Sequence, residues 1–208
     1  PGVRATEVPN GVDTDYFRPD DASERPLSLV FAGNLSWYPN AAAMLFFADK
    51  VWPSLKKELP EVTMDVIGGN PPLALSALAV RDKDFRVHGF VPDVRPYINS
   101  AALYVCPIMD GGGTKLKILD ALAMGKPIVA HPIACEGIAV REGHDVMFAR
   151  EPRDFVQSIA SLLRNPQKRK AMSANARSLA ESSYSYALIG RKLAGELEKA
   201  SYAAGRAV

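Results

Sequence analysis

Residues 110 to 130 read DGGGTKLKILDALAMGKPIVA, and the residue types at the start of this stretch suit the binding of a phosphate and a diol. Gly111, Gly112 and Gly113 allow positive φ and let a ligand approach the backbone closely. The following segment has helical periodicity, so its first N–H groups lack intrahelical partners and carry partial positive charge. Lys115 and Lys117 add cations to a first turn where the helix dipole favours acids, a conflict that a bound anion relieves. Asp120 lies three residues after Lys117, near the same helical face. Its carboxylate can accept two hydroxyl hydrogen bonds, as from a ribose. A glycine-rich turn with a surface ion pair between Lys117 and Asp120 accounts for the same residues. The stretch matches neither G-x-x-x-x-G-K-[ST] nor G-x-G-x-x-G.

The elements that must position this turn alternate along the chain. Apolar runs at 27–33, 62–69, 85–91, 102–108, 127–133 and 145–149 read as strands. Helical patterns separate them, the longest at 39–60, where Pro53 predicts a kink or a restart. From 152 to about 200 the chain reads as helix, with Pro152 and Pro166 at helix starts, and the closing SYAAGRAV is expected to fray. This pattern predicts an α/β fold: a mainly parallel, Rossmann-like sheet with helices on both faces and a helical C-terminal segment. In such sheets ligands bind beyond the carboxyl ends of the strands, and the turn at 109–115 follows one.

A length of 208 residues suits one domain spanning 1–208. The formal charge of +2, with no clustered basic face, excludes nucleic acid as the expected partner. No apolar run is long enough for a transmembrane helix. Cys106 and Cys135 lack metal-ligand spacing and read as buried thiols of a reducing compartment. The first residues lack both Met and the apolar centre of a signal peptide, which makes the chain an expected piece of something longer.

The ordered segments PNGVDTDYF, FAGNLSWYPN, DVIGG, VHGFVPDVRPYI, YVCPIMDGGGTKLKILDALAMGKPIVA and EGI resemble the carboxyl-terminal half of family 4 (group 1) glycosyltransferases, retaining enzymes of the GT-B fold. The resemblance spans about residues 8 to 195. It implies a nucleotide-sugar donor domain whose acceptor-binding amino-terminal half is absent from this sequence. Asp120 takes the place of the acid that holds the donor ribose, one methylene shorter than the usual Glu. Gly112 takes the place of the first motif acid, so a side chain that contacts the donor sugar is missing. Backbone N–H groups of Gly113, Thr114 and Lys115 would meet the sugar and distal phosphate. Gly33 and Asn34 match a phosphate-facing loop in which the wider family often carries Arg and Lys; neither occurs between 33 and 49. Lys115 and Lys117 are inferred to supply that charge. Phe90 and Val91 fall in the segment that reads the nucleobase edge, although packing of a strand end explains them equally well.

The implied activity is retaining transfer of a sugar from a nucleoside diphosphate to an acceptor in bacterial polysaccharide or glycoconjugate assembly. The helix start and lysines would stabilise the leaving diphosphate, without a metal or other cofactor. No Asp-x-Asp pair lies in the turn that would face the diphosphate. The implied setting is cytoplasmic, with peripheral contact at the inner membrane face open to the longer enzyme. The basic run RNPQKRK reads first as a solvated helix face. His88, His131 and His144 read as structural, Trp52 as core, and Glu136 and Gly137 as loop residues near the same sheet edge. Trp37 and Tyr38 are placed to stack near the phosphate loop. Two other readings stay open: a non-catalytic nucleotide-sugar-binding module, and a dinucleotide-dependent oxidoreductase. The latter lacks its glycine fingerprint.

Overall fold

The computed structural model describes residues 5–20 and 24–205. Six strands form one parallel sheet: β1 (Arg25–Ala32), β2 (Thr63–Ile67), β3 (Phe85–Gly89), β4 (Ala101–Cys106), β5 (Ile128–Ala130) and β6 (Met147–Phe148). Their spatial order is β3-β2-β1-β4-β5-β6. All of AALYVC in β4 is buried, as a strand covered on both faces requires, and its sequence is correspondingly unbroken apolar. The predicted Rossmann-like α/β sheet is the observed one.

The covering helices are α1 (Tyr38–Phe46), α2 (Trp52–Glu58), α3 (Leu73–Arg81), α4 (Arg95–Ser100), α5 (Leu116–Ala123), α6 (Pro152–Leu163), α7 (Pro166–Leu179) and α8 (Tyr186–Gly205). A π-helical turn, Phe47–Val51, joins α1 to α2 just ahead of Pro53. Proline has no N–H to donate to the carbonyl four residues earlier, so the helix is re-spaced where the sequence predicts a break. Packing of α6 on α2 and on that turn, and of α5 on α7, closes the core. Trp52 is buried there, edge-on to Phe85 at 5.3 Å between ring centroids.

Two ends differ from expectation. The fifth strand stops at Ala130, because Pro132 opens a 3-10 turn (Pro132–Cys135) whose Ile133 N–H donates to His131 Nδ1 at 3.3 Å. Helix α8 continues through Gly205 where fraying is expected from Ser201, and residues 206–208 lie outside the described ones. None of the described helices is long and apolar enough to cross a membrane.

Strand order reverses between β1 and β4, which places a crevice at their carboxyl ends. The β1–β4 ladder pairs Val30 with Tyr104 as its last register, and the buried Tyr104 hydroxyl continues it. That hydroxyl donates to Ala32 O at 3.0 Å and accepts from Ala32 N at 3.3 Å. The end of β1, and hence the turn after it, is thereby fixed against β4 without closing the crevice.

Candidate functional site

Three turns meet at this sheet edge. Gly33 N–H donates to Ile67 O at 2.9 Å, Gly68 N–H to Gly89 O at 2.8 Å, and Leu35 N–H to Gly69 O at 3.1 Å. The backbones come so close that a Cβ on Gly68 would lie 2.0 Å from Gly33 O. Residues Gly33, Asn34, Ile67, Gly68, Phe90 and Val91 line a cleft of 550 Å3, a size suited to a small-molecule ligand. Phe90 is 80% exposed at its wall. The structure thus brings the sequence-predicted pairs Gly33–Asn34 and Phe90–Val91 into one cavity.

The turn after β4 stands on the other side of β1. Gly111 and Gly113 have φ of +92° and +76°, which only glycine adopts readily. Gly111 is also crowded, since a Cβ there would lie 3.2 Å from Pro39 and 3.5 Å from the Trp37 ring. Gly112 and Gly113 face open space. Thr114 touches the loop after β5, with its Oγ1 3.0 Å from the Cβ position of Gly137.

The two lysines differ. Lys115 is buried, and its ammonium turns back into its own loop, donating to Gly111 O at 2.5 Å and Gly113 O at 2.8 Å. It holds the glycine turn in shape. Lys117 reaches between the turns: its Nζ lies 2.7 Å from the Cβ position of Gly33 and donates to Asn40 Oδ1. Asn40 Nδ2 donates in turn to Asn34 O at 2.7 Å. The ammonium also lies 5.1 Å from the Phe31 ring centroid and 5.7 Å from that of Trp37. Burial lowers the Lys117 pKa; neighbouring Lys115 adds to this, while Asp120 opposes it. A lysine held so would gain from an anion brought to its side of the crevice.

The Asp120 carboxylate forms no hydrogen bond or ion pair with the described residues, and Lys117 donates to Asn40 instead, so the i, i+3 pairing is not made. Its burial pushes the carboxyl up to about 7, against the pull of Lys117. A half-buried carboxylate without a donor is costly by itself, and hydroxyl groups of a ligand would satisfy it.

Asn40 does not stand out in the sequence, although it is 3% exposed and ties the two turns together. Its signal is an amide behind a helix-starting proline, in YPNAAA. His88 and His144 bond Asp65 and Asp145 respectively, each at 2.7 Å, and His131 caps its 3-10 turn. The basic run is less solvated than expected: Arg169 turns inward to Leu162 O, Leu163 O and Glu24. Cys106 and Cys135 are buried and free.

The strand order alone is shared by many nucleotide-binding folds; comparison with known proteins is more selective. A family model described as glycosyl transferases, group 1, matches residues 26–165. An uncharacterized 44.6 kDa protein in the cps region of Klebsiella pneumoniae is 24% identical over 176 residues, covering 81% of this chain and 45% of that protein. The chain therefore spans about half the length of the curated relative it matches. HepE of Anabaena, solved in complex with UDP, superposes with a TM-score of 0.76 at 17% identity, over 91% of this chain and 56% of that one. The C-terminal domain of the group 1 family protein LpcC from Francisella tularensis gives 0.67 at 18% identity, over 85% of this chain and all of that one. These structural likenesses show the fold.

Proposed function

The chain belongs to the group 1 glycosyl transferases, and from that premise we propose that it is the donor-binding domain of a retaining, GT-B nucleoside diphosphate sugar transferase. The carrying observation is the meeting of the Gly33–Asn34 turn and the Gly111–Lys115 turn across the β1/β4 crevice, with the Lys117 ammonium between them. In this reading the nucleobase lies in the 550 Å3 cleft against Phe90 and Val91. The ribose hydroxyls donate to Asp120. The phosphates meet the backbone at Gly113, Thr114 and Lys115, where the start of α5 leaves N–H groups unpaired. Lys117 supplies the charge that the loop after β1 lacks.

The chemistry follows from charge. As the bond to the anomeric carbon breaks, the leaving diphosphate gathers negative charge, and fixed N–H dipoles and an ammonium stabilise it without reorganising. The Lys115 ammonium contributes by holding Gly111 and Gly113 in place, while the backbone N–H of the same residue faces the ligand. The sugar would sit beside Gly112, where no side chain limits the space.

The remaining half of the enzyme, with the acceptor site, would face the same crevice. Tyr186, Leu193 and Leu197 on α8 are large, apolar and exposed, a stripe suited to covering by that half. The description of the Klebsiella relative as a protein of the cps region supports a role in bacterial polysaccharide assembly. The 208-residue chain by itself is expected to bind donor and transfer nothing.

Calorimetry with nucleosides, nucleoside diphosphates and diphosphate sugars of uridine, guanosine and adenosine tests the reading. Lys117→Ala should weaken the diphosphate more than the nucleoside, by about 1.5–3 kcal/mol at low salt, with the difference shrinking as salt rises. Equal loss for both ligands would remove Lys117 from the phosphate site. Binding without a metal is a separate expectation. Affinity for the diphosphate should stay within a factor of about two after chelation; a drop of about tenfold or more would reveal a metal-bridged phosphate.

A further inference from the structure

On the β2–β3 side of the sheet, away from the donor cleft, Arg25, Asp65, Arg86, His88, Tyr97 and Ser100 surround a second cavity of 280 Å3. We propose that this cavity binds a small phosphomonoester, with its phosphate on Arg25 and Arg86 and its body on Tyr97. The two cavities share no lining residue.

Asp65 sits in the middle of β2 with a side chain 2% exposed, where an apolar residue would serve a strand. Its carboxylate accepts from Arg86 Nε at 2.7 Å, His88 Nε2 at 2.7 Å, Arg86 Nη2 at 2.9 Å, and Arg25 Nη2. A carboxylate has about four acceptor sites, so Asp65 is saturated. Burial opposes its ionisation, but these donors outweigh burial and hold the carboxyl well below the usual range. Asp65 is therefore an anion, and it neutralises only one of the two guanidinium groups.

The surplus is directed at ligand chemistry. Arg25 Nε and Nη1 and Arg86 Nη1 have no partner among the described residues, and both side chains stay partly exposed, at 41% and 33%. Guanidinium N–H pairs match phosphate oxygens in geometry as well as charge. Because the ionised Asp65 carboxylate can only accept, His88 must donate to it through Nε2. Tyr97 lies 4.8 Å from the His88 ring, and its ring and Pro96 form an apolar wall. At about 30 Å3 per water, 280 Å3 equals roughly nine waters, more room than a bare phosphate fills.

The test follows the ring resonances of His88 by NMR, assigned against His131 and His144, with the donor cleft saturated by nucleoside diphosphate. Inorganic phosphate and glucose 6-phosphate are titrated, with glucose as the neutral control. Both phosphates should shift His88 saturably in the millimolar range or below, glucose 6-phosphate more tightly, while glucose should not. Arg25→Gln keeps three of the four bonds to Asp65 and should weaken both phosphates at least about tenfold. Tyr97→Ala should bring glucose 6-phosphate down to the affinity of inorganic phosphate. The proposal is overturned if neither phosphate moves His88, or if Arg25→Gln leaves the titration unchanged. It is also overturned if a His88 response obtained without nucleoside diphosphate disappears once the donor cleft is saturated, which would put the phosphate in that cleft.

Discussion

Gly68→Ala is expected to unfold the domain at a temperature about 8–16 °C below wild type, whereas Gly69→Ala, one residue on, should leave it nearly unchanged. The contrast is steric. A Cβ on Gly68 would stand 2.0 Å from Gly33 O and 3.1 Å from Leu35 Cγ; one on Gly69 would meet nothing closer than Phe90 Cβ at 3.8 Å. Relief at Gly68 means pushing the β1 and β2 turns apart. Two backbone hydrogen bonds, Gly33 to Ile67 and Leu35 to Gly69, cross that junction, and a third, Gly68 to Gly89, ties the displaced turn to β3. At about 1 kcal/mol each, with overpacking strain of about 1–3 kcal/mol added, the loss is about 4 kcal/mol or more. For a domain of this size that corresponds to about 2–4 °C per kcal/mol. Thermal unfolding followed by circular dichroism checks it. A Gly68→Ala melt within about 3 °C of wild type would mean that the turns are not locked by this approach. Because Gly33 and Gly68 both line the cleft, any surviving Gly68→Ala protein should also bind donor poorly.

That junction marks the limit of what the sequence reveals. DVIGG and FAGN each announce a turn after a strand, but nothing local says that the two turns touch. The sheet itself is legible because each strand is a short apolar run and each helix an amphipathic one, signals carried within about ten residues. The break at Pro53 is legible for the same reason, although its form as a π-helical turn is not. Lys117 shows where local reasoning fails. Spacing of three residues puts it near Asp120 on α5, yet its ammonium goes to Asn40, 77 residues away in sequence. Once Asn40 and the rings of Phe31 and Trp37 are there to receive it, the helical neighbour loses. Asp65 is the converse case. An aspartate inside TMDVI, and Arg86 and His88 alternating in FRVHG, place polar side chains on one face of neighbouring strands with period two. That signal is present in the sequence, but the strand pattern around it hides the charge cluster it builds.

Asp120→Asn is expected to make the fold more stable and the donor complex weaker, two changes of opposite sign from one site. In the folded chain burial raises the Asp120 carboxyl to about 7, whereas in the unfolded chain it ionises near 4. As pH rises from about 4 to about 7, the unfolded state gives up this proton first, so the folded state loses stability progressively. Above about 7 the deficit is complete, with an upper limit near 4 kcal/mol. Asn has nearly the same shape and does not titrate. The variant should therefore match wild type near pH 4 and exceed it by about 2–4 kcal/mol at pH 8, part of the limit being absorbed by solvent reaching the half-buried group. Donor binding should move the other way. A carboxylate accepts both ribose hydroxyls; an amide accepts one and turns its NH2 toward the other, so affinity should fall by about 1.5–3 kcal/mol. The same loss should be absent for a 2′,3′-dideoxy ligand, and wild-type affinity itself should decline as pH falls below about 7. Denaturant unfolding from pH 4 to 8, with calorimetry on the paired ligands, separates the two effects. If Asp120→Asn brings no extra stability at pH 8, the carboxylate is not held ionised against burial. If the substitution brings stability but leaves ribose affinity untouched, the cost of that buried charge is not there for the ribose, and the diol must be held elsewhere on the crevice.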